Sequence, residues 1–407
     1  MLLRPPHRLD LLPRDLLRGL RSLAHDDDAK ARRELERAWG GRAFLSVRSG
    51  LCALLEACAF PAGSEIVISA LTIGDIPKII RAYGLVPVAV DVDASTLAPG
   101  RAAIEAAVTD KTRAIVIAHL FGARADLAAA SRIAWNRGLL LIEDCAQSFG
   151  STTERGDADA DVSMFSFGTL KTQTALGGAL FTIRDPALAA RMAEVEARWP
   201  KQRTRAFAHK LAKAALFLLA QNALVYSALA LALLLAGRSI GTEVRKATRG
   251  FPAATVDALL VLLRQRPCAP LLDFMHARVL DVVDGASERL LRRASAGERL
   301  LARWRGRNLV PGERALGRTH WLFGIRSRDP VALREALLRT GVDASGASNI
   351  LAVGGVRAQS LVDELVFVPI YPELPRVVID RIVRVVESAE LAESVASDAR
   401  VPRARIA

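Results

Sequence analysis

Between residues 43 and 183 the sequence alternates short β-branched runs with segments of helical periodicity, and this alternation limits the possible folds more than any other feature. The strand candidates are almost uniformly apolar, as strands buried on both faces of a sheet must be. Strand and helix candidates alternate in chain order, beginning with a strand: AFLSV, CALLEACAF, SEIVISAL, DIPKIIRAYG, VPVAVDV, RAAIEAAVT, RAIVIAHLFG, DLAAASRIAWNRG and LLLIED. The pattern predicts an α/β fold with a mostly parallel sheet flanked by helices.

The rest of the chain predicts further helices and a second, smaller domain. The length of 407 residues is enough for two domains. Two short helices are expected over residues 14–40, and a long amphipathic helix from about 272 to 305. Short strands and helices follow, and the chain ends in a last helix, RVVIDRIVRVVESAELAESV. We therefore expect a large domain over residues 1–270, then a long linking helix and a small C-terminal α+β domain over 271–407.

Charge and cysteine content narrow the class of protein. The formal net charge of +13 favours an anionic partner. Aromatic residues make up only 5% of the chain and no nucleic-acid-binding motif is present, so a membrane surface or a phosphorylated ligand fits better than nucleic acid. Cys52, Cys58, Cys145 and Cys268 show no CxxC spacing, which predicts reduced, buried thiols in a cytoplasmic protein and no metal site. The opening residues, broken by charges and prolines, do not form a signal peptide.

Four polar groups lie where candidate strands end or a candidate helix begins. Ser49–Gly50 predicts a turn before a helix, whose free N–H groups can bind phosphate. Asp144 ends one candidate strand and His119 follows the adjacent one. Lys171, the only lysine between Thr112 and Pro200, lies in a turn between VSMFSF and GGALFTI.

Each of these residues alone has an ordinary explanation, such as a helix N-cap, a hydrogen-bonded core histidine or a solvated lysine. Ligands of parallel sheets, however, bind at the carboxyl ends of the strands, where these groups converge. The set matches pyridoxal 5'-phosphate (PLP): a helix start for the phosphate, a carboxylate for the pyridine nitrogen and a lysine for the Schiff base.

Five blocks, in this order and spacing, resemble the DegT/DnrJ/EryC1/StrS family of PLP-dependent sugar aminotransferases, which have the aspartate-aminotransferase fold, fold type I. The blocks are RSGLCALLEACAFPAGSEIVISALT, HLFGARADL, IEDCAQSFG, FSFGTLK…GGAL and VFVPIYPELP. The resemblance covers most of residues 30–195 and, more faintly, 265–390. It implies a homodimeric transaminase of sugar biosynthesis. The donor would be an amino acid such as glutamate, and the acceptor a keto or aldehyde group on a nucleotide-linked sugar, a lipid-linked sugar or another amphiphilic compound.

The resemblance also implies roles for individual residues. Lys171 would form the Schiff base with PLP and move a proton between substrate and cofactor. Asp144 would keep the pyridine nitrogen protonated, and Gln147 would lie near the ring and its 3-hydroxyl. Ser166 would bind the phosphate together with the backbone amides after Gly50.

Other positions depart from the family pattern or have a less defined role. His119 lies in the HLFG block and would help to shape the site. Leu51 stands where the family usually has threonine, and Ile73 stands where an aromatic residue usually stacks on the ring. The asparagine–arginine block that reaches the neighbouring subunit's phosphate is replaced by RQRPCAP, where Arg264 or Arg266 would substitute.

These departures leave two alternatives open. One is a catalytically silent, membrane-associated relative that acts as a scaffold or regulator. The other is a different PLP reaction, such as a sugar dehydration. Relatives that carry out 3-dehydration have histidine at the lysine position, so Lys171 argues against that version.

The segment 214–237 has more than twenty residues without a charge and is long enough to span a bilayer. A single crossing would separate the sheet before residue 200 from the domain after 270, which must pack together. Basic residues flank the segment on both sides. We therefore expect a helical insert at about 200–265 that lies on an anionic membrane surface, with the protein peripheral or monotopic on the inner face. The alternative is a helical hairpin buried in a dimer interface.

Overall fold

The large domain is built on a seven-stranded sheet. The computed structural model describes residues 2–150, 155–248, 251–282, 288–347 and 350–398. The strands of this part of the chain are β1 (Arg42–Phe44), β2 (Glu65–Ser69), β3 (Leu71–Thr72), β4 (Val86–Val90), β5 (Thr112–Ala118), β6 (Leu140–Asp144), β7 (Val162–Ser166) and β8 (Ala179–Ile183). All except β3 form one sheet in the order β1-β8-β7-β6-β5-β2-β4. Only β8 runs antiparallel to its neighbours, so the predicted mostly parallel sheet is confirmed.

Helices cover both faces of this sheet. They are α1 (Pro13–Ser22), α2 (Asp28–Trp39), α3 (Val47–Cys58), α4 (Asp75–Ala82), α5 (Arg101–Ala107), α6 (Ala128–Arg137) and α7 (Pro186–Ala197). Along β2, Ile66 and Ile68 pack in the same cluster as α3, α4 and α7, whereas Val67 packs with α5 and α6. Successive side chains of a strand point to opposite faces, so a strand between two helical layers must be apolar throughout.

An insert of four helices follows α7. They are α8 (Thr204–Ala220), α9 (Ala223–Leu235), α10 (Ile240–Thr248) and α11 (Val256–Leu263). No single helix in the described ranges is long and apolar enough to cross a membrane; α8 and α9 reach that length only together, and they are bent by 98° at their junction. Asn222 causes the second helix to begin there, because its side chain accepts a hydrogen bond from the N–H of Leu224 at 2.9 Å.

The polar residues of this apolar segment attach it to the rest of the protein. The Tyr226 hydroxyl donates a hydrogen bond to the carboxylate of Asp343. The hydroxyl of Ser227 accepts one from the N–H of Leu3 at 2.8 Å. One face of α9 is therefore fixed by hydrogen bonds, while most of its leucines remain exposed.

The C-terminal part of the chain forms the small domain. Its helices are α13 (Glu288–Trp304), α14 (Pro330–Arg339), α15 (Val356–Glu364) and α16 (Arg376–Asp398), and its strands are β9 (Phe323–Arg326), β10 (Ser345–Gly346), β11 (Leu351–Ala352) and β12 (Leu365–Val368). Three of these strands form an antiparallel sheet in the order β10-β12-β9. The fourth, β11, pairs instead with β3 of the large domain. The predicted α+β character of this domain is confirmed.

The single long helix predicted from about 272 to 305 is wrong. Helix α12 (Ala269–Leu280) ends in a turn at Asp281–Val282, and α13 begins at Glu288. The Asp281 carboxylate accepts hydrogen bonds from Arg18 and Arg278, which fixes this helix end against α1. Because Phe274 and Met275 of α12 pack in the large-domain core, the division between domains lies after α12 rather than at residue 270.

Candidate active site

The turn that carries Lys171 is held by backbone and side-chain hydrogen bonds. The Lys171 N–H donates to the carbonyl of Gly168 at 3.0 Å, and the Thr174 hydroxyl donates to the same carbonyl at 2.7 Å. Beyond Lys171, the N–H of Gln173 donates to the carboxylate of Asp10 at 2.8 Å. Gln173 and Thr174 are buried, so the turn is a fixed part of the interior rather than a solvated loop.

The Lys171 amine lies in an environment unlike that of a surface lysine. Burial lowers its pKa to about 7; the negative charge of Asp144 opposes this shift and the positive charge of Arg48 adds to it. Its Nζ lies 3.7 Å from the centroid of the Trp321 ring. The indole N–H of Trp321 donates to the carbonyl of Leu170 at 2.7 Å, which fixes the ring beside the amine. A lysine amine that is partly neutral at pH 7 can act as a nucleophile and as a base.

Asp144 supplies the carboxylate whose negative charge acts on this amine. It ends β6, next to β7, whose continuation carries Lys171. One of its oxygens accepts a hydrogen bond from the N–H of Ala146 at 2.9 Å, and within the described ranges the other oxygen has no hydrogen-bond donor. Burial raises the pKa of this carboxyl group. An incompletely hydrogen-bonded, half-buried carboxylate is suited to binding a cationic group of a ligand.

Gln147 and Ser166 lie close to Asp144 and Lys171 in the fold. The side-chain oxygen of Gln147 accepts a hydrogen bond from the N–H of Phe121 at 2.9 Å. Ser166 is the last residue of β7, and its hydroxyl accepts a hydrogen bond from the N–H of Gly168 at 3.3 Å. Both side chains are half-buried, so both remain available to a ligand at this edge of the sheet.

His119 is a hydrogen-bonded core residue, as a histidine at such a position usually is. Its Nδ1 accepts a hydrogen bond from the N–H of Ala125 at 3.0 Å, and its Nε2 therefore donates to Glu143 at 2.6 Å. Glu143 also accepts a hydrogen bond from the Ser163 hydroxyl at 2.6 Å. Glu143 precedes Asp144 in β6 and so points to the opposite face of the sheet. The side chain of His119 is therefore fully hydrogen-bonded, while its backbone N–H donates to the carbonyl of Asp144 at 3.0 Å, and its contribution to the cofactor site stays a prediction.

The same cluster has ligand atoms spaced as a metal site would have them. The side chains of His119, Glu143 and Cys145 offer atoms within 4.8 Å of one another. The hydrogen bonds already described use both nitrogens of His119, and hydrogen bonds lower the pKa of Glu143 to about 2 despite its burial. Burial raises the pKa of the Cys145 thiol well above its usual value, which disfavours the thiolate that a metal needs. All four cysteines are free, and only Cys58 is not fully buried.

The predicted turn at Ser49–Gly50 is wrong. Helix α3 begins at Val47, because Ser46 is its N-cap and its hydroxyl accepts a hydrogen bond from the N–H of Ser49 at 3.0 Å. The N–H of Gly50 donates to the Ser46 carbonyl at 2.9 Å, so it is used within the helix. A Cβ at Gly50 would lie 2.2 Å from the Phe181 ring, which explains why glycine occupies this position.

Leu51 and Ile73 belong to the hydrophobic core beside the site. Leu51 is fully buried and packs in the cluster under α3. Ile73 follows β3, is half-buried and packs against the same cluster. The start of α3 at Val47 leaves the N–H groups of Val47 and Arg48 without intrahelical acceptors. The free N–H groups of this helix thus lie one turn earlier in the sequence than predicted.

Two residues that the sequence patterns did not single out act on Lys171: Trp321, already described, and Arg48 at the start of α3. A third, Lys210 on α8 of the insert, lies within electrostatic reach of Arg48. The guanidinium of Arg48 forms an ion pair with Asp75 and lies 4.7 Å from the ring centroid of Phe251. The Lys210 Nζ lies 5.9 Å from the same centroid.

The helical spacing of apolar residues could have distinguished Lys210 from the other basic residues around it. Phe207, Leu211 and Ala214 are buried at helical spacing on α8. Lys210 shares that face, whereas Lys213 is exposed. A lysine on the buried stripe of an amphipathic helix differs from the surface lysines of a basic flank.

Arg264 and Arg266 do not approach this cluster within the chain. The Arg264 side chain donates to the hydroxyl of Tyr83 at 3.3 Å, and the Arg266 side chain donates to the carbonyl of Trp199 at 3.1 Å. Their predicted contact with a neighbouring subunit's phosphate stays a prediction.

The overall fold defines the structural class of the protein. A sugar aminotransferase, CalS13 from Micromonospora echinospora, matches with a TM-score of 0.64 and 20% sequence identity over 94% of this chain and 99% of its own. The PseC aminotransferase of Helicobacter pylori, involved in the biosynthesis of pseudoaminic acid, matches with a TM-score of 0.68 and 13% identity over 95% and 99% of the two chains. At these identities the likeness shows the fold, which is that of PLP transferases of fold type I, as predicted.

The sequence match is narrower. Residues 33–217, a little under half of the chain, match the DegT/DnrJ/EryC1/StrS aminotransferase family. The L-glutamine:2-deoxy-scyllo-inosose aminotransferase of Streptomyces fradiae is 36% identical over 151 residues, which cover 37% of this chain and 36% of that protein. The L-glutamine:scyllo-inosose aminotransferase of Streptomyces griseus is 43% identical over 103 residues, 25% of this chain and 24% of that protein. The aligned part thus spans about a third of the length of the first of these relatives.

Proposed function

We propose that the protein is a PLP-dependent aminotransferase that transfers an amino group to a keto sugar. The observation that carries this proposal is the electrostatic interaction of Lys171, whose amine has a pKa of about 7, with the incompletely hydrogen-bonded carboxylate of Asp144. Strongly perturbed lysines of this kind cluster at functional sites. The family match over residues 33–217 includes both residues.

The charges around Lys171 fit PLP. Two lysine amines, Lys171 and Lys210, lie within electrostatic reach of Arg48, since its charge lowers the pKa of both. Among the described residues, Asp75 pairs with Arg48 and Asp144 acts on Lys171, which leaves excess positive charge. A phosphate group would offset that excess, and Asp144 would face the pyridine nitrogen. When bound, PLP would supply an aromatic ring that accepts electrons from the substrate carbon.

The residues of the chain would divide the remaining work. The Nζ of Lys171 would hold the cofactor covalently and then accept and return the proton of the substrate carbon. The Asp144 carboxylate would keep the pyridine nitrogen protonated. Gln147 and Ser166 would orient the cofactor, and the Trp321 ring would exclude water from the amine of Lys171.

The relatives' names guide the choice of substrates. They give L-glutamine as the amino donor and a keto inositol, a sugar-like ring, as the acceptor. The donors to be tested are therefore L-glutamine and L-glutamate, and the acceptors are keto sugars, free or linked to a nucleotide or lipid. The catalytically silent relative proposed as an alternative gains no support from these comparisons.

A visible absorption spectrum of the purified protein with PLP tests the proposal. We expect an absorption band of lysine-bound PLP that disappears when L-glutamine or L-glutamate is added and returns with a keto acceptor. The rate of covalent attachment should rise with pH through about 7, where Lys171 loses its proton, rather than near the usual pKa of a lysine. A protein that binds no PLP would be the silent relative instead.

We further propose that the enzyme is a cytoplasmic homodimer that attaches to an anionic lipid surface through its insert. Six leucines of α8 and α9 are strongly exposed, with up to 81% of the side chain accessible. They are Leu216, Leu219, Leu224, Leu231, Leu234 and Leu235. Glu243 is the only acidic residue between Glu196 and Asp257, a stretch rich in Lys and Arg. Exposed apolar groups beside excess positive charge suit a membrane of anionic lipids.

Changing two of these leucines should release the protein from anionic vesicles. We expect Leu231→Gln with Leu235→Gln to lower the fraction that floats with phosphatidylserine vesicles at least tenfold, because each buried leucine contributes roughly 1.5–3 kcal/mol. Leu316→Gln, at a position equally exposed on the small domain, is the matched control. If the double variant changes the mass in light scattering and leaves flotation intact, the leucines cover a second copy of the chain instead.

A further inference from the structure

The Lys210 amine is half-buried and lacks an anionic partner. In the ranges that the structure describes, its Nζ forms neither a hydrogen bond nor an ion pair. Burial lowers the pKa of this amine, and the nearby charge of Arg48 lowers it further. Burying a cation without a counter-ion is costly, so an arrangement of this kind is usually completed by a ligand.

The position of Lys210 links the insert to the turn that carries Lys171. Its Nζ lies so close to Gly177 that a Cβ there would be 3.1 Å away. Gly177 donates its N–H to the carbonyl of Phe167, next to the end of β7. The amine therefore reaches the far side of the same turn.

Arg48 presents a second cation to the same space. Its guanidinium and the Lys210 amine both lie against the ring of Phe251, at 4.7 and 5.9 Å from the centroid. The N–H groups of Val47 and Arg48 at the start of α3 have no intrahelical acceptors. Two cations that repel one another beside free N–H groups favour a dianionic ligand such as a phosphate monoester.

We propose that Lys210, together with Arg48, holds the phosphate group of the cofactor, so that the insert contributes a binding residue to the active site. This inference rests on the proposed function and specifies how its cofactor is held. It also accounts for two departures from the family pattern. Leu51 offers no hydroxyl to a phosphate, and Arg264 is engaged with Tyr83, whereas Lys210 supplies the cation from within the same chain.

Comparing PLP with pyridoxal, which lacks the phosphate, tests the assignment. We expect Lys210→Met to raise the dissociation constant of PLP by about 10- to 100-fold, as the loss of a charged hydrogen bond does, and to leave that of pyridoxal unchanged. Lys210→Arg should keep PLP affinity near that of the wild type. Lys213→Met, which removes an exposed lysine one turn further along α8, should change neither constant.

Thermal unfolding separates a ligand role from a structural one. Without PLP, Lys210→Met should be at least as stable as the wild type, because it removes an unpaired buried charge, and it should lose most of the increase in Tm that PLP gives. Equal PLP affinity in Lys210→Met and wild type would overturn the inference. So would a Lys210→Met protein that keeps its PLP affinity but loses affinity for UDP, because the two cations would then bind the phosphates of a nucleotide instead of the cofactor. A wild type that binds neither PLP nor pyridoxal would instead refute the proposed function.

Discussion

Lys171→Ala should abolish amino transfer, with the rate falling by a factor on the order of 10⁴. Alanine provides neither the nucleophile that attaches the cofactor nor the base that moves the substrate proton. The side chain lies in a turn whose hydrogen bonds come from the backbone, Thr174 and Gln173, so the turn itself should persist. Steady-state transfer from L-glutamine and the visible spectrum with PLP provide two independent measurements.

The exposed Lys213 provides the control for this prediction. Lys213→Ala should retain the wild-type rate and spectrum, since its amine lies outside the cluster. Lys171→Ala should keep the wild-type circular dichroism spectrum. A Lys171→Ala protein that still transfers amino groups at a tenth of the wild-type rate would show that another group is the nucleophile.

Asp144→Asn should lower the transfer rate by a factor on the order of 10²–10³, comparable to the loss of one preorganised electrostatic contact in other enzymes. The amide keeps the shape of the carboxylate but cannot stabilise a positive charge on the pyridine nitrogen. A second effect has a definite sign. Because the negative charge of Asp144 raises the pKa of Lys171, its removal should move that pKa below about 7.

The pH dependence of PLP attachment measures this second effect. In Asp144→Asn the midpoint should shift to lower pH, whereas Asp110→Asn, at a fully exposed position, should leave it unchanged. A midpoint that stays at about 7 together with a normal transfer rate would mean that Asp144 does not face the cofactor.

The parts of the fold that follow from local patterns could be predicted from the sequence. Strands β2, β5 and β6 are apolar on both faces, and parallel strands bring their carboxyl ends to one edge, so Asp144 and the turn of Lys171 could be expected to meet. The start of α3 could not be placed by pattern. Ser46 and Ser49 are both acceptable N-caps, and only the hydrogen bond from the N–H of Ser49 to the Ser46 hydroxyl shows which one begins the helix.

Contacts between distant segments could not be predicted in this way. Trp321 reaches Lys171 across 150 positions of sequence because the small domain folds back on the large one. Lys210 and Arg48 come together because both lie against the ring of Phe251, which is distant from each of them in sequence. The break after α12 could not be predicted because the amphipathic pattern continues through Asp281, which forms ion pairs with Arg18 and Arg278 at the helix end.

The attachment of α9 has a mechanical consequence for the whole molecule. Helix α9 belongs to the insert of the large domain, yet the hydroxyl of Tyr226 is bonded to Asp343 of the small domain. The helix thus acts as a strut between the two domains. Any rotation of the small domain against the large one must either break this bond or carry α9 along, so a force applied to the outer face of α9 would be transmitted to the small domain.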